Sequence, residues 1–85
     1  MLPIHERFHK AKREFPGSLI LFKVGDFYEL FYEDAEVAAK SLGLRLTTRN
    51  TKDVEPMPMA GFPYHALAGY KAKLVNLGFP VEVIE

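Results

Sequence analysis

The chain has no cysteine. That excludes disulfides, thiolate metal ligation and thiol nucleophiles, and it fits a reducing compartment. Nor does any apolar run approach the roughly 20 residues that span a bilayer, and the N-terminus lacks the apolar segment of a secretory signal. The expected setting is cytoplasmic, with no membrane contact. Net charge is missing too: 11 Lys and Arg balance 11 Asp and Glu, so the overall composition does not announce a nucleic-acid binder. Neither G-x-x-x-x-G-K-[ST] nor G-x-G-x-x-G occurs, which leaves no loop built to cradle phosphates. His5 and His9 stand at i, i+4 with no third ligand at a zinc-like distance. No metal and no other cofactor is expected.

A metal-dependent nuclease centre is the remaining catalytic idea, built on Asp26 and Glu29 with Lys23 or Lys40. The spacing opposes it. Asp26 belongs to a turn, Glu29 follows with the opposite strand parity, and no later E-x-K pattern completes a cation site. The chain is therefore read as a non-enzyme.

What is present is the composition of an ordinary folded domain, 48% hydrophobic and 26% charged over 85 residues. One small core is the limit, since a chain of this size removes only about 60 to 65% of its unfolded surface from water. Charge is uneven along it. Residues 1–23 hold Arg7, Lys10, Lys12, Arg13 and Lys23 against Glu6 and Glu14, whereas residues 24–42 hold five acids and only Lys40. Arg45, Arg49 and Lys52 follow without an acid in residues 43–52.

The patterning predicts a small α+β fold of the α/β class, a mixed sheet flanked by about three helices in the order α-β-β-α-β-β-α-β. Pro3 suits a first helical turn, Ile4, Phe8, Ala11 and Phe15 recur on one helical face, and Pro16-Gly17 ends that helix. Leu19 to Val24 reads as a buried strand, Gly25-Asp26 as a type II′ turn, and Phe27 to Tyr32 as the returning strand. Asp34 is expected to cap a helix carrying Ala35, Ala38, Ala39 and Leu42, stopped by Gly43. Leu44 to Arg49 alternates as a strand, with Leu44, Leu46 and Thr48 inward and a basic wet face of Arg45, Thr47 and Arg49. Asn50 to Pro56 is polar loop, Met57 to Ala60 a short strand, and Gly61 to Pro63 a turn, with Tyr64 and His65 starting a helix. Leu67, Tyr70, Leu74 and Leu77 mark that third helix, Gly78 its stop, and Pro80 to Ile84 a closing strand.

One acid interrupts the aromatic stretch "GDFYELF". On a strand, Phe27, Glu29 and Phe31 share one face, and Tyr28, Leu30 and Tyr32 share the other. A plain account makes Phe27 and Glu29 the exposed face of an edge strand. A functional one makes the phenyl a platform for a flat partner whose edge the carboxylate hydrogen-bonds, as single bases are commonly read. A third possibility is an apolar patch of Phe27, Tyr28, Phe31 and Tyr32 that docks another protein without binding DNA. A small-ligand pocket behind Phe62, Tyr64 and His65 has no convergent polar cluster to support it.

From about Phe8 to Ile84, "LILFKVGDFYELFYEDAEVAAKSLGLRLTTRN" followed by "PMPMAGFPYHALAGYKAKLVNLGFPVEV" resembles the N-terminal mismatch-recognition domain of the MutS DNA mismatch repair family. The likeness joins G-D-F-Y-E, E-D-A-x-x-A and P-M-A-G-x-P-Y-H in one order. It implies that Phe27 wedges from the minor groove onto a mispaired or unpaired base and that Glu29 hydrogen-bonds that base. Pro58 and Met59 match a segment near the kinked site, and Lys23, Arg45 and Arg49 are candidate backbone contacts on charge alone. Implied partners are duplex DNA with a mismatch or small insertion/deletion loop and the remaining domains of a MutS-like assembly, at the nucleoid in the cytoplasm. Residues 1–85 are then one MutS-like domain, cut from a longer protein or free-standing, and the family's ATPase domain lies outside them. Nearby Asp26, Glu33 and Asp34 are expected to favour a protonated Glu29.

Overall fold

In a computed structural model, residues 2–50 and 55–85 are described. Helix α1 (Ile4–Glu14) starts after Pro3, whose carbonyl accepts the Glu6 and Arg7 amides at 3.1 and 3.0 Å. Strands β1 (Leu19–Val24) and β2 (Phe27–Phe31) follow as a hairpin with Val24 paired to Phe27. Gly25 takes a φ of 60° and Asp26 stays out of the positive region, the type II′ pattern that matches strand twist. Helix α2 (Tyr32–Leu42), strand β3 (Thr47–Arg49) and strand β4 (Met57–Pro63) come next. A 3₁₀ turn (Tyr64–Ala66) leads into α3 (Leu67–Asn76), and β5 (Val81–Ile84) closes the series.

The spatial strand order is β3-β4-β2-β1-β5. β1 and β5 run parallel, and the other neighbours run antiparallel. Helices α2 and α3 cover one face through Ala35, Ala38 and Leu74 on Leu19, Leu21, Tyr28, Leu30, Ala60 and Phe62. On the other face, α1 places Phe8 and Ala11 on Ile20, Phe22, Phe31 and Met57. Covered on both sides, β1 buries four consecutive residues, Leu19 to Phe22, as an unbroken apolar run predicts. No helix among the described residues is long and apolar enough to cross a membrane.

The expected element order holds, with several corrections. Asp34 does not cap α2, which begins two residues earlier at Tyr32 directly from β2. Tyr32 makes that turn at a φ of 55°, a left-handed conformation that disfavours a bulky side chain. Its ring packs 5.0 Å from Phe8 and 5.5 Å from His9, contacts that offset the strain. Asp34 is instead buried. It accepts the Ile20 amide at 3.0 Å and the Lys12 ammonium at 3.0 Å, while Lys12 also donates to the Ser18 carbonyl at 2.6 Å. A carboxylate thus satisfies a β1 amide at the point where β2 has turned away.

Strand β3 is shorter than the alternation of Leu44 to Arg49 suggested, and Leu46 is 48% exposed. Only Leu44 packs against the core from that set, because β3 forms the outer edge of the sheet. Strand β4 is longer than expected. Gly61 to Pro63, read as a turn, stay extended because they continue pairing with Glu29, Tyr28 and Phe27. Tyr64 and His65 do begin a helical segment, and Gly78 at a φ of 95° follows α3. Leu77 lies beyond α3 and is exposed. Of the expected loop, Asn50, Glu55 and Pro56 carry no regular structure, and residues 51–54 lie outside the described set.

Candidate functional site

β2 is the central strand of the sheet, so an edge position does not explain the exposure of Phe27. Its burial changes along one face. Phe31 is fully buried under α1, Glu29 is half-buried, and Phe27 is 45% exposed. The helix covers one end of this face and leaves the hairpin end open. Tyr28 and Leu30, with the opposite parity, are buried beneath α2 and α3. The proposed apolar docking patch is therefore absent. Tyr28 and Phe31 are core residues, Tyr32 is packed on α1, and Phe27 alone of the four is exposed.

Pairing registers define Phe27's neighbourhood. Phe27 lies across from Val24 on β1 and Pro63 on β4, and Glu29 across from Phe22 and Gly61. Met59 pairs with Phe31 and with Thr47, while Met57 pairs with Arg49. Phe27, Glu29, Met59 and Arg49 consequently share a face, and Pro58, with the other parity, does not. The expected wet basic face is corrected accordingly: Arg49 is half-buried on the side of Glu29, while Arg45 is exposed in the segment before β3. The Thr47 hydroxyl donates to the Met59 carbonyl at 3.2 Å, tying edge strand to β4.

Burial pushes the Glu29 carboxyl above the usual glutamate range, and the positive charge of Arg49 opposes that shift. The direction agrees with a protonation-prone Glu29, but its cause is desolvation rather than the neighbouring acids. Asp34 is occupied by Lys12 and Ile20. Among the described residues no hydrogen bond from a side chain or backbone amide reaches the Glu29 carboxyl oxygens.

The raised pKa means that ionised Glu29 opposes folding. Its stabilising share is complete below the ordinary glutamate pKa and is lost as pH rises through the higher folded value. Glu29→Gln is therefore expected to stabilise the chain at pH 7 by less than about 1 kcal/mol, because solvent screens a half-exposed group. The gain should fade as pH falls through the raised folded value and be gone below about pH 4. Urea melts at the two pH values measure it, and a loss of stability at pH 7 would contradict the assignment.

Lys23 is exposed at the hairpin end, on the face opposite Phe27. Its ammonium lies 5.4 Å from the centre of the exposed Tyr64 ring, and the Tyr64 amide donates to the Asp26 carbonyl at 2.8 Å. Cation and aromatic are thus fixed to the turn that carries Phe27. Tyr64 was not a candidate in the sequence, since only the β2–β4 register brings it to the hairpin. Gly61 was read as a turn residue for the same reason. The suggested pocket behind Phe62, Tyr64 and His65 does not form: Phe62 is buried against Tyr70 with ring centres 4.5 Å apart. Among the described residues no group of three or more His, Asp or Glu could hold a metal ion.

Comparison with known proteins adds an independent line. The family model described as MutS domain I matches residues 2–85. A DNA mismatch repair protein MutS from Aquifex pyrophilus is 50% identical over 86 residues, covering 100% of this chain and 10% of that protein. Those from Fusobacterium nucleatum and Caulobacter sp. are 45% and 48% identical over 83 residues, covering 98% of this chain and 9% of each protein. The chain spans about a tenth of the length of the curated relatives it matches.

Proposed function

The chain belongs to the MutS family as its domain I, and from that premise we propose that it reads mispaired and unpaired bases in duplex DNA for mismatch repair. The observation that carries the proposal is one exposed phenyl at the open end of a covered sheet face, with a half-buried carboxyl two residues behind it. The phenyl stacks on a base and unstacks the step, an insertion that costs a few kcal/mol and less where pairing is already defective. Glu29 hydrogen-bonds the edge of that base. On intact duplex its charge meets phosphates with no compensating donor, so repulsion becomes discrimination.

The remaining candidates fall into two groups under this reading. Met59 shares the reading face and contacts DNA next to the wedge, whereas Pro58 supports β4 from the other side. Lys23 and Arg45 neutralise phosphates, and Arg49 serves as the counter-charge of Glu29. Lys23→Gln is expected to weaken intact and mismatched duplex alike and to lower the slope of log K against log salt by about 1. Unequal losses on the two duplexes would contradict a phosphate contact. The matched residues are domain I and not the ATPase domain, and with zero net charge the chain alone is expected to bind DNA weakly. The place of action is the nucleoid, in the cytoplasm.

The test is a titration of the chain, at low salt, against a fluorescent duplex carrying one G·T mismatch or one unpaired T, beside the perfect duplex. Tighter binding to the defective duplexes supports the proposal. Equal affinity for all three, with the fold intact by circular dichroism, contradicts it.

A further inference from the structure

Of the glycines in this chain, Gly61 is the one around which a side chain finds no room. A Cβ at Gly61 would lie 2.6 Å from Oε2 and 2.7 Å from Cδ of Glu29, and 2.5 Å from the Tyr28 carbonyl oxygen. At each of the other five glycines a Cβ meets nothing within 4 Å. Gly61 is also not at a positive φ, unlike Gly25, Gly43 and Gly78, so backbone conformation does not call for glycine there. Space does.

The β2–β4 register sets Gly61 directly across from Glu29. Opposed residues on one face of an antiparallel pair normally stand side by side with Cβ atoms about 4.5 to 5.5 Å apart. Here one partner has no side chain, and the glutamate folds over the bare backbone. We propose that Gly61 is a positioning residue of the reading head: its bare backbone is the seat over which the Glu29 carboxyl folds, and that seat fixes where the carboxyl stands behind Phe27. This inference rests on the mismatch reading above.

The seat accounts for two properties together. It takes the carboxyl partly out of water, and it sets the place from which the negative charge meets intact DNA beside Phe27. Among the described residues the charged groups around it are few. Arg49 faces Glu29 from β3, and Arg7 of α1 lies over Phe22, the β1 neighbour of Glu29, 5.3 Å from the ring centre. Asp26 sits at the turn, and β4 contributes no charge at Met59, Gly61 or Pro63. In Gly61→Ala the carboxyl has to give up this seat, and the Tyr28 carbonyl, 2.5 Å from the added Cβ, has to shift as well.

Two NMR measurements on the chain test the seat without DNA. In the unsubstituted chain, nuclear Overhauser contacts between the Glu29 γ-methylene and the Gly61 α-protons are expected, and their absence overturns the proposal whether or not any variant folds. In folded Gly61→Ala, the Glu29 carboxyl midpoint should fall towards the usual glutamate range. An unchanged midpoint overturns it. A duplex titration then tests the role in reading: the pH range over which mismatch preference changes should move to lower pH in Gly61→Ala, together with the midpoint. A preference that does not follow the midpoint removes Gly61 from recognition while leaving mismatch reading intact. Failure of the unsubstituted chain to prefer a defective duplex overturns the mismatch reading, and with it the role of Gly61 in it, even where the NMR contacts are present.

Discussion

Phe27→Ala is expected to lower affinity for duplex carrying an unpaired T by roughly 5- to 150-fold, the equivalent of about 1 to 3 kcal/mol of base–aromatic stacking. Affinity for perfect duplex should change far less, because an intact step resists opening and offers the phenyl little to stack on. The same substitution should leave the thermal midpoint nearly unmoved, since the ring is 45% exposed and the core beneath β2 is formed by Tyr28, Leu30 and Phe31. Leu in place of Phe separates stacking from mere bulk: it keeps an apolar wedge and loses the flat face. Parallel fluorescence titrations and melts decide the matter. Equal losses on both duplexes would show that Phe27 contributes general contact rather than base reading.

The second large effect concerns stability. Asp34→Ala removes the acceptor of the buried Ile20 amide and the ion-pair partner of Lys12 at once. An unsatisfied buried donor costs about 1 to 3 kcal/mol, and loss of one partner of a largely buried pair adds to that. A destabilisation of about 2 to 4 kcal/mol is expected, which for a domain of this size lowers the melting temperature by at least about 10 °C. Asp34→Asn should fall between, keeping an acceptor oxygen for Ile20 while losing the charge. A shift of less than about 3 °C for Asp34→Ala would show that water or a rearranged β1 replaces the carboxylate. Neither variant touches the reading face, so the folded fraction should keep its preference among duplexes.

Asp34 also shows where sequence reading reached its limit. An acid followed by an alanine stripe has the look of a helix cap, and nothing local distinguishes a cap from an acceptor for another strand's amide. The stop signals were legible because they are local: Gly43 and Gly78 take the left-handed conformation that ends a helix, and Gly25 the one that turns a hairpin. Phe27 and Glu29 stood out by parity and by the family motif. Their surroundings did not. Central placement of β2, extension of β4 through Pro63, and the approach of Gly61 and Tyr64 to the hairpin all follow from pairing across more than 30 residues. Alternation at Leu44 to Arg49 misled because an outer strand is flanked on one side only, and Leu46, ahead of β3, remains in solvent.

Under the proposed reading, Phe27 as a wedge would also have to bear load. Bending a duplex by tens of degrees stores on the order of 1 to 6 kcal/mol of elastic energy, which pushes back on whatever holds the base step open. Phe27 is mounted on a strand braced on each side by an antiparallel ladder, and that strand enters α2 through Tyr32 with no slack residue between them. Recoil at the ring is therefore spread sideways into β1 and β4 and backwards into a helix clamped by Asp34. A tip on a loose loop would yield and let the duplex straighten; this one forces the compliance onto the DNA, where a damaged step is the softest element in the chain of springs.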